Sequence, residues 1–124
     1  MTGAIEPMQQ VKIFGIKNCD TMKKAIKWLK AHNVDFHFHD YKKESIDKET
    51  LRTWLEEVEW EQLINRRGTS WRKLTEQEKS DVDNEKAIEL ILTNTSLIKR
   101  PALLINDSLT LGFNEAQYAQ LFAD

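Results

Sequence analysis

At 124 residues, with 40% hydrophobic and 31% charged side chains, the chain has the size and composition of one globular domain that can bury a core without disulfides or metal. The net charge of −2 argues against nucleic-acid binding driven by bulk phosphate neutralisation. No apolar run approaches the roughly 20 residues of a membrane span.

Residues 1–10 carry neither a basic leader nor an apolar stretch and read as a flexible extension rather than a secretory signal, leaving 11–124 as the single domain. Residues 11–15 are apolar apart from Lys12, as in a buried strand. A turn over 16–19 holds the chain's one cysteine, Cys19. A helix follows, with Asp20 or Cys19 at its cap, Met22, Ala25, Ile26 and Leu29 as the buried stripe, and Asn33 as its stop. Lys23, Lys24, Lys27 and Lys30 then face water. Alternation over 36–41 predicts a second strand, completing a βαβ unit.

The middle of the chain reads as a strand-free helical insertion over about residues 46–95. Asp47 caps a helix through about Val58, with Leu51, Trp54, Leu55 and Val58 on one face. A helical turn over 60–64 leads into an irregular basic run, 65–74. Thr75 and Glu78 form a capping box, and Asp83 opens a helix lined by Ala87, Ile88, Ile91 and Leu92. Residues 101–106 and 109–113 read as a hairpin, and Asn114 with Gln117 caps a last helix to about Phe122. The order β-α-β, helices, β-β-α is the α/β thioredoxin-like plan with an inserted helical subdomain.

Cys19 stands where a strand hands over to a helix, and that position carries chemistry. Unpaired N–H groups and the positive end of the helix dipole favour a thiolate over a thiol. An ordinary thiol is only ~3% ionised at pH 7, and a depression of about two pKa units, roughly 2.7 kcal/mol, makes it mostly anionic. Nearby Lys17 adds to this effect, and Asp20 is expected to oppose it. Thr21 is placed to donate its hydroxyl to the thiolate or to a bound anion. A single cysteine cannot form an internal disulfide, which fits a reducing cytoplasm and obliges any redox cycle to borrow a second thiol. His37 and His39 alternate on one strand, but two imidazoles with no third ligand predict exposed histidines and no metal site. Trp28, Trp54, Trp60 and Trp71 are read as packing residues.

Three motifs together resemble the arsenate reductase (ArsC)/Spx family, in its YffB-like branch: Gly15-Ile16-Lys17-Asn18-Cys19-Asp20-Thr21, residues 65–74 opening Asn65-Arg66-Arg67-Gly68, and Ile98-Lys99-Arg100-Pro101. They fall in the family's order, and the resemblance runs from Val11 to Phe122. It implies a thioredoxin fold in which Cys19 is the nucleophile and Pro101 is a cis proline facing it. It further implies that Arg100, and one of Arg66 and Arg67, hold an oxyanion. Glutathione, with glutaredoxin, would supply reducing equivalents without a tightly bound cofactor. A third arginine of the arsenate-reducing members has Gly112-Phe113 in its place here. Spx members usually carry Cys-x-x-Cys, where this chain has Met22 as the second member.

The sequence therefore reads as a monomeric, glutathione-dependent thiol oxidoreductase with one nucleophilic cysteine, acting on an oxyanion or a disulfide. The alternative is a non-catalytic, Spx-like regulator that binds RNA polymerase.

Overall fold

The computed structural model describes residues 10–123, so the extension expected over 1–10 lies outside the described residues except for Gln10. Strand β1, Val11–Gly15, buries every residue but Lys12. It feeds helix α1, Asp20–Ala31, with Cys19 as an extended N-cap. Met22, Ala25 and Leu29 are buried as expected, but Trp28 is the fourth buried member and Ile26 is only half-buried. Asn33 ends the helix at φ +57. There the Val34 N–H donates to the Leu29 carbonyl at 2.9 Å and the Asn33 N–H to that of Lys30 at 3.1 Å. These are the two bonds of a Schellman stop, and they make asparagine's tolerance of the left-handed region useful.

Strand β2 is His37–Asp40, shorter than the alternation over 36–41 suggests. Tyr41 leaves the strand because the Asp40 carboxylate accepts the Lys42 N–H at 2.9 Å and caps the short helix α2, Tyr41–Glu44. His39 is half-buried rather than exposed, with its ring 4.7 Å from that of Phe14.

The helical stretch that follows has more breaks than its periodicity suggests. Helix α3, Lys48–Trp54, is capped by Asp47 as expected but gives way to a turn before Val58. Helix α4 is Trp60–Leu63. Helix α5, Thr69–Arg72, lies inside the run read as irregular. Helix α6, Glu76–Lys79, carries the Thr75–Glu78 capping box. Helix α7, Asn84–Thr93, starts at Asp83 and buries Ala87, Ile88 and Ile91, leaving Leu92 half-buried. A 3-10 turn, Thr95–Leu97, follows.

Strands β3, Ala102–Ile105, and β4, Ser108–Leu111, form the hairpin, and α8, Glu115–Leu121, closes the described fold with Asn114 accepting the Gln117 N–H. Strand β4 stops short of Phe113 because Gly112 turns away at φ +82. The sheet order is β2-β1-β3-β4, with β1 parallel to β2 and antiparallel to β3, and β3 antiparallel to β4. This is the thioredoxin-like plan.

Strand alternation sends the side chains into two cores. Val11, Ile13, Leu103 and Ile105 meet Met22, Leu29 and Tyr118 of α1 and α8. Phe14, Ala102 and Leu109 meet Leu51, Trp54, Ile88 and Ile91 of the inserted helices. A one-rung bridge, Ile64 against Ile98, ties the insertion to the segment before β3. It is flanked by Asn65 N–H to Leu97 O and Lys99 N–H to Leu63 O, both 2.8 Å.

Trp54 is 1% exposed and meets the Phe14 ring edge-on at 4.9 Å, so it carries much of the contact between insertion and sheet. Trp54→Ala is expected to lower stability by about 3–5 kcal/mol, read as a fall in the urea midpoint with little change in slope. An unchanged midpoint would show that the insertion is held elsewhere.

Candidate active site at Cys19

The antiparallel pairing of β1 with β3 sets Phe14 opposite Ala102, and this places the turn after β1 beside the segment that leads into β3. Cys19 comes from the first and Arg100 from the second. The Arg100–Pro101 peptide bond is cis.

The Cys19 thiol is half-buried and unpaired in any disulfide. Burial pushes its pKa up, but the Met22 N–H, the Arg100 guanidinium and the Thr21 N–H together outweigh burial and hold the thiol below its ordinary value. Cys19 makes no side-chain cap hydrogen bond in α1, and it is the helix end together with a cation that favours its thiolate. Asp20, expected to oppose ionisation, is not among the groups that set the thiol.

Arg100 is held in place by its own segment, with Nη1 donating to the Ser96 carbonyl at 3.1 Å. Its Nε is buried without a partner, and so is the Tyr41 hydroxyl. Burial raises the Tyr41 pKa against the pull of the Arg100 charge, so the tyrosine stays neutral and leaves that charge uncompensated. Among the described residues Arg100 has no carboxylate partner.

Cys19, Arg100 and Asn65 stand on a ridge between two small clefts. One, of about 300 Å³, is lined also by Lys42, residues 68–70 and Ser96. The other, of about 330 Å³, is lined also by Thr21, Lys99, Gly112 and Phe113. The structure therefore brings together Cys19, Arg100 and Thr21, with cis Pro101 next to Arg100. It does not bring Lys17, which is exposed in the turn and lines neither cleft. Nor does it bring Arg66 or Arg67. Both line a larger groove nearby, because the Asn65 side chain accepts the Arg67 N–H at 3.2 Å and turns the chain, and the Arg66 guanidinium lies 5.6 Å from the centre of the Trp60 ring.

Sequence reasoning missed Lys42, Lys99 and Asn65. Lys99 and Asn65 lay within the quoted motifs, where the arginines beside them drew the attention. Lys42 had no local signal, since only the packing of α2 puts it at the thiol.

The chain matches the ArsC family over residues 14–121. It belongs to the ArsC family. A solved structure named YffB is 48% identical, covers 92% of this chain and 100% of its own, and superposes with a TM-score of 0.89. An ArsC-related protein from Brucella melitensis is 53% identical over 93% of this chain and 96% of its own, with a TM-score of 0.74. The global transcriptional regulator Spx of Streptococcus pyogenes is 32% identical, over 85% of this chain and 79% of that protein. The family is thus one of arsenate-reductase-like folds in which both reductase-related and regulatory relatives occur.

Arg100 gives this ArsC-family site its test. Alkylation of Cys19 by iodoacetamide should follow thiolate population, with a midpoint pH below that of an ordinary thiol. Arg100→Ala removes a group that lowers the pKa, so the midpoint should move up, and Arg100→Lys should move it part of the way back. A midpoint that ignores position 100 would assign the shift to the helix end alone.

Proposed function

We propose that this chain is a thiol oxidoreductase that works through Cys19 and is recycled by glutathione. The observation that carries the reading is the half-buried Cys19 thiol at the start of α1, facing an Arg100 guanidinium that has no carboxylate partner among the described residues. Membership of the ArsC family supports it.

In this reading the Cys19 thiolate attacks the sulfur of a disulfide, or the arsenic of an arsenate held by Arg100. With arsenate, an S–As bond forms as one protonated oxygen leaves as water, and two glutathione thiols supply the two electrons of reduction, ending as their disulfide. With a disulfide, a Cys19–S–S–R bond forms, the original S–S bond breaks, and the departing thiolate takes the electron pair and later a proton from water. Glutathione thiolate then attacks the mixed disulfide, reforms Cys19 thiolate and leaves as GS–S–R, which glutaredoxin can reduce. Arg100 supplies a planar, two-pronged cation to the anionic partner, and Thr21 a hydroxyl at the same cleft. Pro101 holds the backbone opposite the thiol. Lys42 and Lys99 supply further cations on the cleft walls. The chemistry requires no metal.

The rival reading is a regulator that binds RNA polymerase, favoured by the 32% identity to Spx. A single cysteine makes an internal disulfide switch impossible in it.

Mass spectrometry and turnover separate the two. Cys19 is expected to form a mixed disulfide with oxidised glutathione, and Cys19→Ser to lose all thiol-dependent turnover with the fold intact. Capture of the polymerase α subunit without turnover would support the regulator and overturn the enzyme.

A further inference from the structure

Beside the thiol clefts lies a groove of about 880 Å³ that the proposed chemistry does not use. Lys99 lines both the groove and the Cys19–Thr21 cleft, and Asn65 lines the groove and both clefts, so these two side chains stand between the groove and the thiol clefts. Arg66, Arg67 and Lys99 give the groove a basic wall with Glu61 as its one acidic lining residue. Among the described residues none of the three cations makes an ion pair, although the chain as a whole carries a net charge of −2. Arg66 is steadied over the Trp60 ring, so its charge is offered from a fixed place.

The opposite wall is Leu109, Thr110 and Leu111 of β4, the edge strand of the sheet. The Gly112 N–H points inward, donating to the Pro101 carbonyl at 2.8 Å. By alternation the N–H groups of Leu109 and Leu111 point off the edge. That of Leu109 already donates to a carboxylate oxygen of Glu57 at 3.1 Å. With that donor taken, the Leu111 N–H is the outward donor left on this stretch of edge, and beside three cations without an ion pair among the described residues it fits an extended chain that carries acidic side chains. Past Leu111 the edge leads to Gly112 and Phe113, which line the cleft at Cys19.

We propose that this groove docks an extended acidic polypeptide segment and delivers its oxidised cysteine to Cys19, so that a protein or peptide disulfide is a substrate. The inference rests on the thiol-exchange reading above. The Cys19 thiolate attacks the peptide's disulfide sulfur, the Cys19–peptide S–S bond forms, and the outer sulfur leaves with the electron pair. A low-molecular-weight thiolate then attacks the Cys19 sulfur and releases the peptide thiolate, which takes a proton from water. A second such thiolate attacks the outer sulfur of the Cys19 mixed disulfide, freeing the Cys19 thiolate and leaving as a low-molecular-weight disulfide.

The test uses two synthetic peptides of about ten residues, each with one cysteine held as a mixed disulfide with thionitrobenzoate. One is rich in glutamate, and its twin has glutamine at those positions. The mixed disulfide of 2-mercaptoethanol with thionitrobenzoate reports on Cys19 itself, and release of coloured thionitrobenzoate is followed in each case. At low salt the acidic peptide is expected to react about tenfold faster than its twin, with the ratio falling toward one near 1 M salt. In Arg66→Gln/Arg67→Gln the ratio should fall toward one at low salt as well. Equal rates for the two peptides, or a preference that survives the double substitution, would overturn the groove while leaving the thiol chemistry standing. Inhibition by an oligonucleotide without any preference for the acidic peptide would also overturn it. A Cys19 that reacts with none of the three compounds would overturn both readings.

Discussion

The register of β1 against β3 is the constraint on which the rest of this molecule depends. Because Phe14 pairs with Ala102, the turn after β1 and the segment before β3 end at the same edge of the same two strands. A slip of one residue would exchange the two faces of β1, putting Ile13 where Phe14 lies. It would also carry Cys19 away from Arg100. The register is held because each face is fully used: Ile13 and Leu103 are wholly buried against α1 and α8, and Phe14 and Ala102 are buried against the inserted helices.

The thiol's state follows from a contest between effects of opposite sign. Burial alone disfavours a thiolate, and here it is the largest single influence. It is overcome because the Met22 and Thr21 N–H groups at the start of α1 add to a guanidinium that no described carboxylate pairs with, held by the Ser96 carbonyl and near a tyrosine that burial keeps protonated. Had a carboxylate faced Arg100, much of its field at the sulfur would be cancelled. Under the proposed mechanism the same uncompensated charge serves twice, first on the thiolate and then on the anionic partner.

The segments between β2 and β3 give the site its walls. Helix α2 brings Lys42, the segment before and through α5 brings Asn65 and residues 68–70, and the 3-10 turn brings the carbonyl that anchors Arg100. The bridge between Ile64 and Ile98 makes this possible, since it locks the chain on both sides of Asn65 and Lys99. The proposed docking groove is lined by Ile64 of the same bridge together with Asn65 and Lys99, the two residues it shares with the thiol clefts.

Much of this was legible in the chain before any coordinates. The apolar run from Val11, the caps at Asp47, Thr75, Asp83 and Asn114, and the stop at Asn33 are local signals, and each works through hydrogen bonds within a few residues. The thiol at a strand-to-helix turn was legible for the same reason. What failed was whatever depended on a competing local bond or on distant packing. Asp40 capped a helix at Tyr41 and shortened a strand, and Asn65 turned the chain so that Arg66 and Arg67 left the thiol. By itself the sequence determined most of the elements, the fold plan and the place of the one cysteine at a strand-to-helix turn, because short-range bonding and periodicity encode these. Only the tertiary structure decided which cations line the clefts at Cys19, because Lys42 and Lys99 reach those walls through strand pairing and helix packing that no local pattern records.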